Sequence, residues 1–264
     1  SAYLKGDLHL RKASVEVFGD ADGTGTDRSP MIARFKAISE ALERWALYCL
    51  LQLGETAHYG LDVDPTSNGM AAYPGLFGLS ARRRAREEAV ERFCLANWWI
   101  GQLAAREVGT EPDATRVIQL ENPLTSASVV LVWRKDRHGL YAYGFAAARS
   151  LQQARLRASI ELERSATALG AYLTRNPKFG PADLPLIKNW QERRILHFAL
   201  PEGHEAFQRR LTTPPSPSLS AKRLKPLVDT ELLGPWTRFA TVWRVLFPMP
   251  GTAYLDPKEL FFFW

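Results

Sequence analysis

The chain has 264 residues, 46% of them apolar and 23% charged, enough for one large or two small domains with their own cores. No apolar run approaches the roughly 20 residues a membrane helix needs, no signal-peptide pattern opens the sequence, and no CxxC or HxxxH spacing suggests zinc. The formal charge of +6 sits in short runs such as Arg82-Arg83-Arg84, Arg134-Lys135-Asp136-Arg137 and Arg193-Arg194, which read as solvated faces; a modest basic excess suits an anionic small ligand as well, and neither a membrane nor nucleic acid is an expected partner.

In chain order, Val15 to Phe18 reads as a short strand and Gly19 to Thr26 as a turn-rich stretch. Pro30 then opens a helix running from about Met31 to Leu53 and ended by Gly54. Asp62 to Gly78, with its prolines and glycines, reads as a loop, and Ser80 as the N-cap of a long helix reaching about Arg106. The arginines in the first turn of that helix oppose its dipole, so an anionic group is expected nearby. Ser126 to Trp133 and Leu140 to Phe145 form a predicted hairpin. A third helix spans about Leu151 to Leu173. Thr213 to Ser220 is a proline-rich surface loop, and Thr237 to Phe247 a final strand. The aromatic run Phe261 to Trp264 either tucks into the core or marks a chain cut from something longer. Cys49 and Cys94 lie in apolar helical segments and read as buried free thiols in a reducing cytoplasm. The five histidines are scattered and read as structural or exposed, and Trp45, Trp98 and Trp99 read as core packing. Helices alternate with hairpins, so the expected class is α+β, with long Glu-bearing helices packed on mixed or antiparallel sheets.

Two helical stretches say nearly the same thing. Glu40-Ala-Leu-Glu43-Arg44-Trp45 reads ExxERW, and Glu88-Ala-Val-Glu91-Arg92-Phe93 reads ExxERF. Residues i and i+3 share a helix face, so each stretch presents two carboxylates with an arginine beside them. Such a like-charged pair costs roughly 0.2–0.5 kcal/mol in an isolated helix and more when desolvated. Repeating that cost points to a cation, or to a ligand carrying one. The plainer reading is a set of carboxylates paired with Arg44 and Arg92.

The order of these pieces resembles the YcaO family over roughly residues 21–170. The resemblance rests on Gly23-Thr24-Gly25, on the two ExxER helices, on Ser67-Asn68-Gly69-Met70-Ala71-Ala72 between them, on Trp98-Trp99 after them, and on Gly144 and Glu161 further along. It implies a single YcaO-like domain over 1–264 that binds ATP and Mg2+. Glu40, Glu43, Glu88, Glu91 and Glu161 would hold the metal, while Gly23, Gly25, Arg44, Ser67, Asn68 and Arg92 would contact the nucleotide. The implied reaction is O-phosphorylation of a peptide backbone amide after a nucleophile adds to its carbonyl carbon, with azoline or thioamide products in a ribosomally made peptide. A precursor peptide and a leader-binding or helper protein are the implied partners, with homo-oligomerisation open. The chain departs from the family pattern at Lys36, where a Ser is usual, at Thr24, where a Lys is common, at Phe93, where Asp is common, and at Arg164, where Gln is usual. An arginine beside carboxylates forms ion pairs and can replace a metal ion, so a catalytically degenerate scaffold is the alternative. An unrelated α+β protein with coincidental ExxER helices is the third reading.

Overall fold

Small residues bring the first helix close to its strand. A computed structural model of the protein describes residues 2–4, 22–54, 56–75, 77–216 and 224–262. In chain order the elements are β1 (Ala2–Leu4), β2 (Gly23–Gly25), α1 (Pro30–Leu53), β3 (Met70–Pro74), α2 (Gly78–Trp99), β4 (Ala105–Thr110) and β5 (Arg116–Leu120). They continue with β6 (Ser128–Lys135), β7 (Tyr141–Ala148), α3 (Leu151–Arg175), α4 (Trp190–Ala199), α5 (Pro201–Thr212), β8 (Val228–Leu232) and β9 (Ala240–Leu246). Every strand pair among them is antiparallel, and the class is α+β. No described helix is long and apolar enough to cross a membrane.

The described residues form two compact units. The first gathers 2–4, 22–89 and 224–248. Its sheet runs β3-β9-β8, and β1 pairs with β2 beside it. Helix α1 packs against β2 and β3 over a core that includes Ala46, Leu50, Met70, Trp236 and Val242. Pro30 occupies the first turn of α1, the Ser29 side chain accepts from the Ile32 N–H, and Gly54 ends the helix at φ +72°. Gly23 and Gly25, expected in a turn, lie instead in β2. A Cβ on Gly23 would come 2.0 Å from the Ala37 carbonyl oxygen, and one on Gly25 equally close to that of Ala33, so only glycine lets the strand approach α1. Asp62 to Gly78 is likewise not all loop, because β3 forms within it and pairs with β9, the predicted final strand. Residues 15–18 lie outside the described residues.

The second unit gathers 90–216 and 249–262. Its sheet runs β4-β5-β6-β7, with α3 lying on β6 and β7. The predicted β6–β7 hairpin pairs Ser128 with Ala148 through to Lys135 with Tyr141. Gly144 on β7 faces α3: a Cβ there would meet the Ala158 carbonyl oxygen at 2.1 Å. Helix α2 starts at Gly78, which puts Ser80 inside its first turn rather than at its cap, and it ends at Trp99 rather than near Arg106. The chain reverses at Gly101, φ +87°, where the Asn97 carbonyl accepts from Gln102 at 2.8 Å, and β4 takes up the residues given to the helix. Phe261 and Phe262 tuck into the core as one of the two readings required, Phe262 packing on Trp98, Trp99, Tyr143, Phe198 and Phe207. Residues 263–264, like 217–220 of the proline-rich stretch, lie outside the described residues, while 214–216 are exposed.

Candidate functional site

Each ExxER motif places its second glutamate against a strand. In the first unit, Glu43 Oε1 accepts the Ala72 N–H of β3 at 2.9 Å. In the second, Glu91 Oε2 accepts the Ala147 N–H of β7 at 3.1 Å. Both strands present small residues at that point, Ala71-Ala72 and Ala146-Ala147-Ala148, so the helix backbone comes close enough for a glutamate to reach. The repeat seen in sequence is therefore a repeated helix-to-strand tie.

Around Glu43 the charges are crowded. Burial pushes its carboxyl well above the usual range, the neighbouring Glu88 pushes it further and Glu40 adds to this; the Ala72 N–H and Arg84 act in the opposite direction. Arg84 itself lies 3.5 Å from Glu87. Glu40 is already neutralised: its Oε1 lies 2.6 Å from Arg44 Nη2, and its Oε2 accepts from the Thr24 N–H at 2.7 Å and from the Thr24 hydroxyl at 2.8 Å. Thr24, a departure from the YcaO pattern, thus donates twice to a carboxylate. Lys36, a basic departure from the YcaO pattern, pairs with Asp27 at 2.8 Å.

Ser67 and Asn68 belong to a tightly held turn of the same unit. The fully buried Asp64 carboxylate accepts from the Thr66 N–H and hydroxyl at 3.0 and 2.5 Å and from Asn68 Nδ2 at 3.1 Å. The Ser67 carbonyl accepts from the Met70 N–H at 3.1 Å. Buried Arg244 donates to the Asp64 and Thr66 carbonyls at 2.6 and 2.7 Å. Gly69 lies at φ +66°, and a Cβ there would come 2.0 Å from the Val245 carbonyl oxygen. Asp64 and Arg244 carry no motif in the sequence; only their partners in space reveal them. Also in this unit, the anionic group expected beside the first turn of α2 is Asp229, which takes Arg82 through both oxygens at 2.9 and 2.7 Å and accepts from Trp243 Nε1.

In the second unit, Glu91 is buried, with its Oε1 3.7 Å from Arg92 Nε. The Arg92 guanidinium lies over the Phe145 ring at 5.2 Å. Arg157, which the sequence does not single out, donates to the carbonyl of Ala147 at 3.1 Å, the residue whose N–H Glu91 accepts. Glu161 is held by Arg164 Nη1 through both oxygens, at 2.9 and 3.1 Å. Cys94 is buried, and burial pushes its thiol up, with Glu91 and Glu121 adding to the effect; Cys49 is only half-buried, and both thiols are free. A cavity of about 360 Å³ beside Arg106, Gln119, Glu121 and Ser128 contains none of the predicted site residues.

Magnesium prefers oxygen donors bearing negative charge. Glu43 fits that demand, being buried with Glu88 as a like-charged neighbour, a repulsion that a cation relieves. Glu40, Glu91 and Glu161 do not, since each already has an arginine beside it. A unit charge 4 Å away is worth about 1 kcal/mol in water and about 4 kcal/mol at an effective dielectric near 20, and the effect doubles for a divalent ion. Among the described residues no three His, Cys, Asp or Glu side chains are gathered as a metal ion requires.

Neither a protein-family model nor a curated protein matches the chain. Among solved structures, YcaO from Methanopyrus kandleri, bound with AMPPCP and Mg2+, matches 84% of this chain and 76% of its own, at 16% identity and a TM-score of 0.50. The fold is YcaO-like. Within that YcaO-like fold, Glu43, Glu88 and Thr24–Glu40 fall in the first unit and Glu91, Arg92 and Glu161 in the second.

Proposed function

We propose that the chain works as a YcaO-type enzyme, using ATP and Mg2+ to activate a backbone amide of a ribosomally made precursor peptide. Activation is by O-phosphorylation, and the products are azolines, or a thioamide where sulfide is the nucleophile. The observation that carries this reading is Glu43: a buried carboxyl tied to β3 by the Ala72 N–H, whose negative charge, resisted by burial and by Glu88, a bound cation would favour. The YcaO neighbour's AMPPCP and Mg2+ support the choice of ligand. Bound magnesium supplies charge neutralisation to the transferring phosphoryl group, whose chemistry is mostly positioning and electrostatics. The chain's own contributions are then to hold Glu43 and Glu88 in place through α1, α2 and β3, to keep the Ser67–Asn68 turn fixed through Asp64 and Arg244, and to present Arg92 and Arg157 near β7. A leader-binding or helper protein is the proposed partner that delivers the peptide.

A second reading, a degenerate scaffold that binds a partner or peptide without turning over ATP, is favoured by one observation: Glu40 and Glu161 are already paired with Arg44 and Arg164. Thermal-shift titration with ATP, with and without Mg2+, separates the two, checked by calorimetry. A ligand at 100 times its Kd stabilises the native state by about 2.7 kcal/mol. The enzyme reading expects a magnesium-dependent shift that Glu43→Gln abolishes. No shift under any condition would leave the scaffold reading in its place.

A further inference from the structure

Helix α1 turns its small residues inward and its large ones outward. Ala33, Ala37 and Ala41 are buried against β2, where Gly23 and Gly25 let the two backbones meet. On the other side Met31, Phe35, Ile38, Leu42 and Trp45 follow one another at steps of four, three, four and three residues. A surface helix normally turns such a stripe to the core and leaves polar residues in water. Leu42 and Trp45 conform, packing on the cluster that holds Trp236, with Trp45 stacked on Phe239 at 6.2 Å. Met31, Phe35 and Ile38 do not: they stand 64%, 51% and 38% exposed, with Ile32 beside them at 44%. We propose that this open half of the stripe is the docking surface for one amphipathic helix, rimmed with acidic residues, of the helper protein. The inference rests on the reading above for that partner alone, and neither ATP nor Mg2+ takes part in it.

Two observations choose the occupant. Alternating steps of four and three are the spacing at which one helix packs its side chains between those of another, a register that a bilayer does not need. The second is charge. Arg34 lies three residues from Met31 and four from Ile38, so it borders the stripe, and Arg28 stands just before the helix. Both are exposed, and neither forms an ion pair among the described residues. The first turn of α1 carries no acidic residue, and Asp27, next to Arg28, is held by Lys36 at 2.8 Å. A second copy of the chain would set this basic rim against itself, whereas a helix flanked by carboxylates meets it with opposite charge. The apolar stripe then supplies the affinity, and the rim selects the partner.

The probe is a synthetic three-heptad peptide with leucine at both seam positions, glutamate at the flanking positions and alanine elsewhere, labelled for fluorescence anisotropy against the full chain. Saturable binding is expected, weakened by about tenfold or more in Phe35→Glu and in Ile38→Glu. Met31→Glu stands in where circular dichroism shows that either variant does not fold. Leu186→Glu, which changes a residue 73% exposed in the second unit, is expected to leave binding unaltered. A peptide with lysine in place of glutamate should bind about tenfold more weakly, and Arg34→Glu should reverse that preference. No binding, equal binding of the two peptides, or binding that survives the folded stripe variants overturns the inference. So does a dimer in sedimentation velocity that Phe35→Glu dissolves, which gives the surface to a second copy, or flotation with phosphatidylglycerol vesicles that the same variant abolishes, which gives it to a membrane. AMPPCP binding, measured alongside, is expected to be the same in Phe35→Glu as in the natural chain; its absence from both sinks the nucleotide reading and leaves the docking surface standing.

Discussion

Glu43 and His204 illustrate opposite ways for a side chain to meet its surroundings. Glu43 is held at a strand while burial and Glu88 resist its charge. A carboxyl whose folded proton affinity is raised contributes stability below its unfolded pKa and loses it as pH rises through the folded one. Glu43→Gln keeps an oxygen for the Ala72 N–H and removes the charge. At pH 7 and without metal, the variant is therefore expected to be more stable than the natural chain. Urea unfolding checks this, and a loss of stability would mean that the charge is already compensated. His204, in the second unit, is nearly buried: it stacks on Tyr141 at 3.5 Å between centroids, and its Nδ1 lies 2.7 Å from the Tyr143 hydroxyl. Burial pulls its pKa down to about 4, with Lys135 adding a smaller push the same way. Below pH 6.5 the unfolded chain takes up a proton that the folded one refuses, so stability falls as pH drops from 6.5 towards about 4. His197, also lowered, adds to the same slope. His204→Gln is expected to flatten part of that dependence in thermal melts at stepped pH; an unchanged slope would assign it elsewhere.

At the scale of elements, glycines placed where a strand meets a helix decide the packing. Gly144→Ala would force a methyl group to 2.1 Å from the Ala158 carbonyl oxygen and 2.4 Å from Leu162 N on α3. Overpacking of this kind costs about 1–3 kcal/mol. Gly180→Ala, with nothing within 4 Å and an extended backbone, serves as the control and is expected to stay within about 0.5 kcal/mol of the natural chain. Chemical denaturation of the two variants side by side tests the contrast, and equal stabilities would show that β7 and α3 can separate without loss. The same comparison explains which elements were legible. Helix α1 was readable because Pro30 and Gly54 bracket it, and the β6–β7 hairpin because two apolar runs flank a polar turn. Strand β4 was not, since five of its six residues are exposed and it carries no alternation. Strand β3 was masked by surrounding glycines and prolines and becomes a strand only by pairing with β9, about 170 residues later. Helices α4 and α5 are short and adjoin at Leu200-Pro201, so neither offers a long periodic pattern.

Across the whole chain, charge was more legible than its destination. Spacing alone indicates that Glu40 meets Arg44 and Glu161 meets Arg164, because i+3 and i+4 neighbours share a helix face. The Ala72 and Ala147 N–H groups that fix Glu43 and Glu91 lie 29 and 56 residues away, and no local pattern encodes them. The run Arg193-Arg194, expected as a solvated face, is the clearest departure. Arg194 is almost fully buried, lies 4.4 Å from the Trp190 ring centroid, and donates to the carbonyls of Tyr254, Asp256 and Glu259 at 2.6 to 2.9 Å. Burial lowers its pKa to about 10, so it stays charged at neutral pH, and the backbone of residues 254–259 solvates it in place of water. The adjacent Arg193 donates to the Pro257 carbonyl of the same segment. One guanidinium therefore organises the stretch that carries Phe261 and Phe262 into the aromatic core of the second unit. Arg194→Met fills much of the same space but leaves those carbonyls without a donor, at about 1–3 kcal/mol for each one that water cannot reach. The expected outcome is a loss of about 3 kcal/mol or more, with new proteolytic cleavage within 253–260 preceding global unfolding. Phe262→Ala should weaken the core by about 3–5 kcal/mol without exposing that segment first. Limited proteolysis read by mass spectrometry distinguishes the two variants. If Arg194→Met is cleaved no earlier than the natural chain, the aromatic packing, rather than the buried arginine, holds the C-terminal segment in place.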